Sequence, residues 1–195
     1  QDAILKKSFG VISDYYFIPN SYFKKKYINN NNIIVKKTNL IITGFYRSDY
    51  LKIKKKNILE IQKIKRSKKK IVTVFGYQGA ENERVAKSEP LLNWTSCEHF
   101  LNNILILSKY FPNFYFVIRF KNINFLKNSY FKEITQNIKK TSNIKISQEY
   151  NVDKYSYILA RNSDYIISQY TSILEECLSF KKKVIVYNFS KNIKK

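Results

Sequence analysis

The sequence is poor in the residues that build metal sites and disulfide frameworks. It contains two cysteines, Cys97 and Cys177, and a single histidine, His99. No CxxC pair or other metal-ligand spacing occurs, and one histidine excludes a catalytic His dyad or a His-based metal site within this chain. Cys177 lies among apolar residues, which predicts a buried thiol. Two isolated cysteines indicate reduced thiols and a cytoplasmic protein, and we expect no resident metal or cofactor.

Long apolar runs are also missing. No run approaches the roughly 20 apolar residues that a membrane-spanning helix needs, and the N-terminus lacks the apolar core of a signal peptide. Any membrane association should therefore be peripheral, at the inner face of the membrane. The chain starts with Gln1 rather than methionine, which indicates a fragment or a processed chain.

Acidic residues are scarce, since 14 Asp and Glu stand against 36 Lys and Arg for a net charge of +22. Such an excess is typical of nucleic-acid-binding proteins. Nearly all of the basic excess is lysine, however, and Asn, Ile, Tyr and Phe are also abundant. All five of these residues are encoded by A/T-rich codons. Nucleic-acid recognition tends to retain arginine for bidentate contacts. We therefore favour codon bias, although the charge still favours nucleotide diphosphates and anionic membranes.

From Lys70 onward, short apolar runs alternate with segments of helical periodicity. The runs are rich in β-branched residues and apolar on both faces, which is typical of parallel strands covered by helices. The sequence therefore predicts an α/β fold, a Rossmann-like parallel sheet with helices on both faces. Ligands of such sheets bind outside the carboxyl ends of the strands. The predicted strands are Lys70–Phe75, Phe114–Phe120, Asn143–Ser147, Asp164–Ser168 and Lys183–Asn188.

The segment Ser168–Glu176 carries the most informative pattern. A buried strand ends at Ser168, a polar turn follows, and a helix begins with two carboxylates near its start. Free backbone N–H groups and the positive dipole end at a helix N-terminus suit a diphosphate, and a carboxylate one turn inside suits ribose hydroxyls. Ser172 and Glu175 also have the spacing of a capping box, which merely starts a helix.

The run D-x-x-x-S-x-x-T-S-x-x-x-E from Asp164 to Glu176, followed by CLSFKKKVIVYN, resembles the nucleotide-binding segment of GT-B glycosyltransferases. The likeness is greatest to bacterial enzymes that build capsules and other surface polysaccharides. Leu174–Glu175 matches the "LE" pair of that family, while its usual Gly and Pro are absent from the following turn. The resemblance implies a donor nucleotide-binding site that includes Ser168 and Gln169. In it, Thr171 and Ser172 contact phosphate and Glu175, or less favourably Glu176, binds ribose.

Two further stretches of the sheet resemble the same family. The stretch VTVFGYQG at Val72–Gly79 is similar to the first strand and donor-facing loop of that family. The stretch VIRFKN at Val117–Asn122 is similar to a strand of the family whose basic residues contact phosphate or a sugar acid. The donor-site residues implied there are Gly76, Gln78, Gly79, Arg119 and Lys121. For the two glycines, a simple turn is an equally good interpretation.

The organisation of the chain is inferred from LIITGFYRSDYL at Leu40–Leu51, which resembles the opening of the C-terminal GT-B domain. We therefore predict a nucleotide-sugar-binding α/β domain at residues 38–195. Residues 1–37 are interpreted as the closing segment of a missing N-terminal domain or as an inter-domain linker.

The resemblance implies transfer of a sugar from a nucleotide-activated donor to a glycan or lipid-linked acceptor. No DxD run is present, no metal is expected, and the base of this family belongs to the N-terminal domain, so no catalytic residue is named. A nucleotide-sugar epimerase of the same fold is the nearest alternative, although it would carry Ser-Gly-Gly where this chain has Gln169–Ser172. A basic nucleic-acid-binding module and a non-catalytic GT-B remnant remain open.

Overall fold

The computed structural model describes residues 14–29, 38–52, 59–66, 68–88, 92–148, 154–169 and 171–187. The chain divides into two compact units, Gln1–Asp49 and Tyr50–Lys195. The strand at Asn39–Ile42 pairs with an upstream strand and so belongs to the first unit. The nucleotide-sugar-binding domain at residues 38–195 stays a prediction.

In its described residues, 14–29 and 38–49, the smaller unit forms a two-stranded parallel sheet and a helix. Strands β1 (Tyr15–Ile18) and β2 (Asn39–Ile42) pair in register, and helix α1 (Ser21–Asn29) lies between them in the chain. The Asn20 side chain accepts a hydrogen bond from the N–H of Phe23 at 3.1 Å, which is the usual cap of a helix N-terminus. Residues 1–13 and 30–37 of the predicted closing segment lie outside the described residues.

A 3₁₀ segment, Tyr46–Lys52, crosses the division between the units, and the larger unit then alternates helices and strands. Two 3₁₀ turns, Asn124–Lys127 and Ser129–Phe131, precede the helix at Lys132–Lys140. The helices and strands of the larger unit are α2 (Leu59–Arg66), β3 (Lys70–Phe75), α3 (Glu83–Ser88), α4 (Trp94–Tyr110), β4 (Phe114–Arg119), α5 (Lys132–Lys140), β5 (Ile144–Ile146), α6 (Tyr155–Asn162), β6 (Tyr165–Ser168), α7 (Ser172–Ser179) and β7 (Lys183–Val186).

These five strands form one parallel sheet in the order β5-β4-β3-β6-β7. Within this sheet the central strand β3 comes first in the sequence, and β4 and β5 follow outward on one side of it. The chain then returns to the other side of β3, where β6 and β7 lie. The order therefore reverses between β3 and β6, where an open parallel sheet forms its ligand crevice. The predicted Rossmann-like sheet is confirmed, with a strand in each of the five predicted segments.

Helices cover both faces of this sheet because its strands are apolar on both sides. Val72 and Val74 of β3 pack with α4 and α5 on one face. Ile71 packs with α2 and α6 on the other face, and Phe75 packs there with residues of α6 and α7. Successive side chains of a strand point to opposite faces, so continuous burial of β3 requires a helical layer on each side.

Helix α3 lies in the polar stretch between β3 and α4. The Asn82 side chain accepts a hydrogen bond from the N–H of Val85 at 3.0 Å, and Lys87 pairs with Glu83 at 2.7 Å one turn away. Only Ala86 of this helix is buried. Local capping and one surface ion pair thus form a helix with almost no apolar periodicity to reveal it.

Polar side chains fix β6 against β3 at the amino end of the sheet. The Asp164 carboxylate accepts a hydrogen bond from the N–H of Ile71 at 2.8 Å, and the Asp164 N–H donates to the carbonyl of Ile71 at 2.9 Å. The buried hydroxyls of Thr73 and Ser163 are 2.6 Å apart. Asp164, the first residue of the family-like run, therefore sets strand register and lies at the opposite end of β6 from Ser168.

Both cysteines are buried free thiols, as predicted for Cys177. Burial raises the pKa of the Cys97 thiol from 9.0 to about 12, with a smaller contribution from the neighbouring Glu98 carboxylate. Among the described residues, no helix is long and apolar enough to cross a membrane.

We expect the buried thiol of Cys97 to make stability depend on alkaline pH. The pKa of the Cys97 thiol is higher in the folded chain than in the unfolded chain. Its contribution to the free energy of unfolding is therefore complete below pH 9 and is lost as pH rises toward about 12. Urea unfolding of wild type and Cys97→Ala at about pH 8 and about pH 10 should show a smaller pH effect in the variant, by roughly 1 kcal/mol. An equal pH effect in both proteins would contradict this assignment.

Candidate functional site

Strand register aligns three residues at the carboxyl edge of the sheet. Phe75 of β3 pairs with Arg119 of β4 on one side and with Ser168 of β6 on the other. Neighbouring strands lie about 4.8 Å apart, so Arg119 and Ser168 are roughly 10 Å apart across Phe75. Residues paired in register between parallel strands place their side chains on the same face. Two residues predicted for the donor site thus lie in one row at this edge, on either side of Phe75.

Gln169 joins the loops that follow β3 and β6. Its N–H donates to the carbonyl of Phe75 at 3.0 Å, and its side-chain oxygen accepts a hydrogen bond from the N–H of Tyr77 at 2.5 Å. The residue is 3% exposed. Gln169 therefore holds the two loops together, and the structure brings the loop that contains Gly76 and Gln78 to the end of β6.

Ser168 and Thr171 form a small hydroxyl pair at the start of α7. Their hydroxyl oxygens are 2.9 Å apart, and the Ser168 hydroxyl also contacts the carbonyl of Gln169 at 2.5 Å. Thr171 is the N-cap residue, but its side chain makes no capping hydrogen bond. The capping box predicted for Ser172 and Glu175 is wrong, because the helix begins one residue earlier than that pattern requires and the available hydroxyl bonds to Ser168 instead.

The two carboxylates of α7 occupy different positions on the helix. Ile173, Cys177 and Phe180 pack toward the sheet, and a helix turns by about 100° per residue. Glu176 therefore adjoins this packed line and is 5% exposed, whereas Glu175 points away from it and is partly exposed in the first turn. Ser172 is exposed at the helix start, and Tyr170 lies outside the described residues.

Gly76 and Gly79 are buried against aromatic rings. A Cβ atom at Gly76 would overlap the ring of Phe120 and lie 2.9 Å from that of Phe100, and one at Gly79 would lie 2.7 Å from the ring of Phe125. Packing therefore accounts for the absence of a side chain at both positions. Close approach of a ligand to these glycines stays a prediction.

Arg119 contacts the first turn of α6 from the end of β4. Its Nε donates to the Ser156 hydroxyl at 3.4 Å, and its guanidinium carbon lies 5.4 Å from the centre of the Tyr155 ring. Lys121, two residues farther along, is exposed beyond the strand end. The structure thus brings Arg119 to the N-terminus of α6, a neighbour that the sequence analysis did not consider.

Two buried hydroxyls near Arg119 were missed by the sequence analysis. Ser147 follows β5 directly, and its N–H donates to the carbonyl of Ile118 at 2.8 Å. Within the described part of the chain, neither the Ser147 hydroxyl nor the Tyr155 hydroxyl has a hydrogen-bond partner, although both are at most 1% exposed. The rule that ligands bind beyond strand ends could have marked Ser147, because it ends a predicted strand.

Metal-binding clusters are absent from the residues that the structure describes, where no three His, Cys, Asp or Glu side chains are placed to hold an ion. The cationic and hydroxyl groups at the carboxyl edge instead provide hydrogen-bond donors. Arginine, hydroxyls and N–H groups at a helix start are the groups that bind phosphate oxygens.

Comparison with known proteins shows the fold. Neither a family model nor a curated protein matches this sequence. Among solved structures, the chain is similar to the UDP-GlcNAc 2-epimerase from Neisseria meningitidis bound to UDP-GlcNAc, with 22% identity and a TM-score of 0.55. The match covers 89% of this chain and 43% of that one, so this chain spans less than half of the epimerase. The chain therefore has the Rossmann-like architecture of one half of a GT-B-like fold.

We expect Gly76→Ala to destabilise the fold by roughly 1–3 kcal/mol, because the added Cβ overpacks the buried Phe120 ring. Phe120→Leu should relieve this overlap, so the double variant should lose less stability than the sum of the two single changes. Urea unfolding of the three variants measures this coupling. If Gly76→Ala retains wild-type stability but loses nucleotide binding, the glycine serves ligand approach rather than packing.

Proposed function

We propose that this chain is the nucleotide-sugar-binding half of an enzyme with a GT-B-like fold. The observation that carries the proposal is the start of α7, where Thr171 provides no side-chain cap and the helix begins at the crevice between β3 and β6. A diphosphate placed there would accept hydrogen bonds from the first N–H groups of α7 and meet the positive end of its dipole.

The surrounding residues support this assignment of the diphosphate. Thr171 and Ser172 would add hydroxyl donors, and Arg119 would supply a positive charge from the neighbouring strand end. We assign ribose to Glu175, whose carboxylate is in the first turn and partly exposed. Gln78 and Lys121 belong to adjoining loops and would contact the outer part of the donor. Such fixed donors stabilise negative charge on a departing nucleotide phosphate.

Two reactions are compatible with this donor site. The structural similarity favours a nucleotide-sugar epimerase, since the matched protein is a UDP-GlcNAc 2-epimerase. The sequence resemblance in Ser168–Asn188 favours a glycosyltransferase of surface polysaccharide synthesis, and Gln169–Ser172 departs from the Ser-Gly-Gly expected of an epimerase. Of the two we favour epimerisation of a nucleotide sugar, on the strength of the fold comparison.

The proposed enzyme is longer than this chain, because this chain covers only part of the matched structure. We propose that it is a cytoplasmic protein. The catalytic base would belong to the other half of that protein. A glycan or lipid-linked acceptor and peripheral contact with an anionic membrane apply only to the glycosyltransferase alternative.

Calorimetry with UDP, GDP, CDP, CMP and ADP tests the proposed donor site. We expect one nucleotide to bind wild type. We expect this nucleotide to be UDP, because the matched structure contains UDP-GlcNAc. Glu175→Gln should weaken that binding roughly tenfold or more, since it removes a charged acceptor of ribose hydroxyls. Its thermal stability should be unchanged, because Glu175 is partly exposed.

Glu176→Gln is the matched control, one residue away but buried. We expect it to lower thermal stability, whereas loss of nucleotide binding at unchanged stability would move the ribose contact to Glu176. If no nucleotide binds while short oligonucleotides bind with a steep salt dependence, the proposal fails and the net charge reflects nucleic-acid binding. With UDP-GlcNAc and the full-length enzyme, a C2 epimer identifies an epimerase, and released UDP with a glycosylated acceptor identifies a transferase.

A further inference from the structure

A groove of about 580 Å³ lies at the β5 edge of the sheet, away from the crevice between β3 and β6. Residues of β5 and α5 form its sides, together with the 3₁₀ turn at Asn124–Lys127. Binding sites for small molecules commonly have volumes of roughly 300–1,000 Å³. The groove is therefore large enough for a small ligand, and the proposed nucleotide site does not use it.

Aliphatic side chains form the apolar part of the groove. Ile138 of α5 and Ile144 of β5 are buried beneath it, while Ile123, Leu126 and Ile146 are partly exposed along it. Among the described residues that line the groove, Tyr115 alone is aromatic. An aliphatic surface of this kind favours a flexible hydrocarbon chain over a nucleotide base, which gains its binding energy by stacking on aromatic rings.

Positive charge accompanies this aliphatic surface. Lys127, Lys139 and Lys145 line the groove, and no Asp or Glu is among the described residues that line it. Lys127 and Lys139 are exposed, and Lys145 is partly exposed. Lysine side chains bury an aliphatic stem along apolar surface and keep the ammonium group at its margin. The groove thus combines an aliphatic floor with a cationic margin that complements an anionic head group.

We propose that this groove binds a single amphiphile that carries one alkyl chain and a phosphate head. The chain lies along the isoleucine and leucine side chains, and the phosphate is contacted by the lysine ammonium groups. Lysine binds phosphate as a point charge with three donors. Strand β5 has only three residues, which gives a partner strand little backbone to pair with and favours a small ligand.

Isoleucine methyl NMR with dodecyl phosphate, below the concentration at which it forms micelles, tests the proposal on the whole chain. We expect saturable shifts of the Ile123, Ile138 and Ile146 methyl groups. The methyl groups of Ile166 and Ile173, which pack around β6 and α7 and do not line the groove, should not move. Dodecanol and inorganic phosphate should each bind at least roughly tenfold more weakly, because each lacks one of the two interactions.

Lys139→Glu and Lys140→Glu form a matched pair of variants. Both residues are exposed lysines in the last turn of α5, but only Lys139 lines the groove. We expect Lys139→Glu to weaken dodecyl phosphate roughly tenfold and Lys140→Glu to have much less effect. Thermal unfolding verifies that both variants are folded, and Lys127→Ala gives a second groove variant without charge reversal.

Several outcomes would overturn the proposal. Equal weakening by both charge reversals would mean that the amphiphile responds only to net charge. Equal binding of dodecanol would remove the role of the phosphate, and equal binding of inorganic phosphate would remove that of the chain. Shifts that appear only with an acidic peptide, and not with dodecyl phosphate, would assign the groove to a protein partner.

Discussion

The parallel register of β4, β3 and β6 is the constraint on which the rest of the structure depends. Hydrogen bonds from Asp164 fix β6 to β3 at one end of the strands, and those of Gln169 fix the other end. This register sets Arg119, Phe75 and Ser168 in one row at the carboxyl edge. A shift of one residue would turn each side chain to the other face of the sheet and would separate the basic group from the hydroxyls.

Much of the fold could be predicted from sequence, because strands buried on both faces read as continuous apolar runs. Helix α3 could not, since Ala86 is its only buried residue. The start of α7 was misjudged because a capping pattern specifies local spacing only, whereas the Thr171 hydroxyl bonds to Ser168 across the turn. The contact of Arg119 with Tyr155 and Ser156 joins residues distant in sequence, which periodicity does not reveal.

The lysine-rich composition acquires a physical role only through its placement. Lys182 is half-buried and donates to the carbonyl oxygens of Arg161 and Ser163 at the end of α6, where a cation is favourable. Burial lowers the pKa of this amine. Other lysines line the β5 groove, at an aliphatic surface where positive charge accompanies apolar area. Net charge alone distinguishes none of these environments.

A crystal structure of the chain with the nucleotide diphosphate that binds it would test the central claim most directly. The account predicts that the diphosphate lies at the start of α7, within hydrogen-bond distance of the N–H groups of Ser172 and Ile173, between the carboxyl ends of β3 and β6. A diphosphate bound at another surface, with the start of α7 still exposed to solvent, would contradict the account.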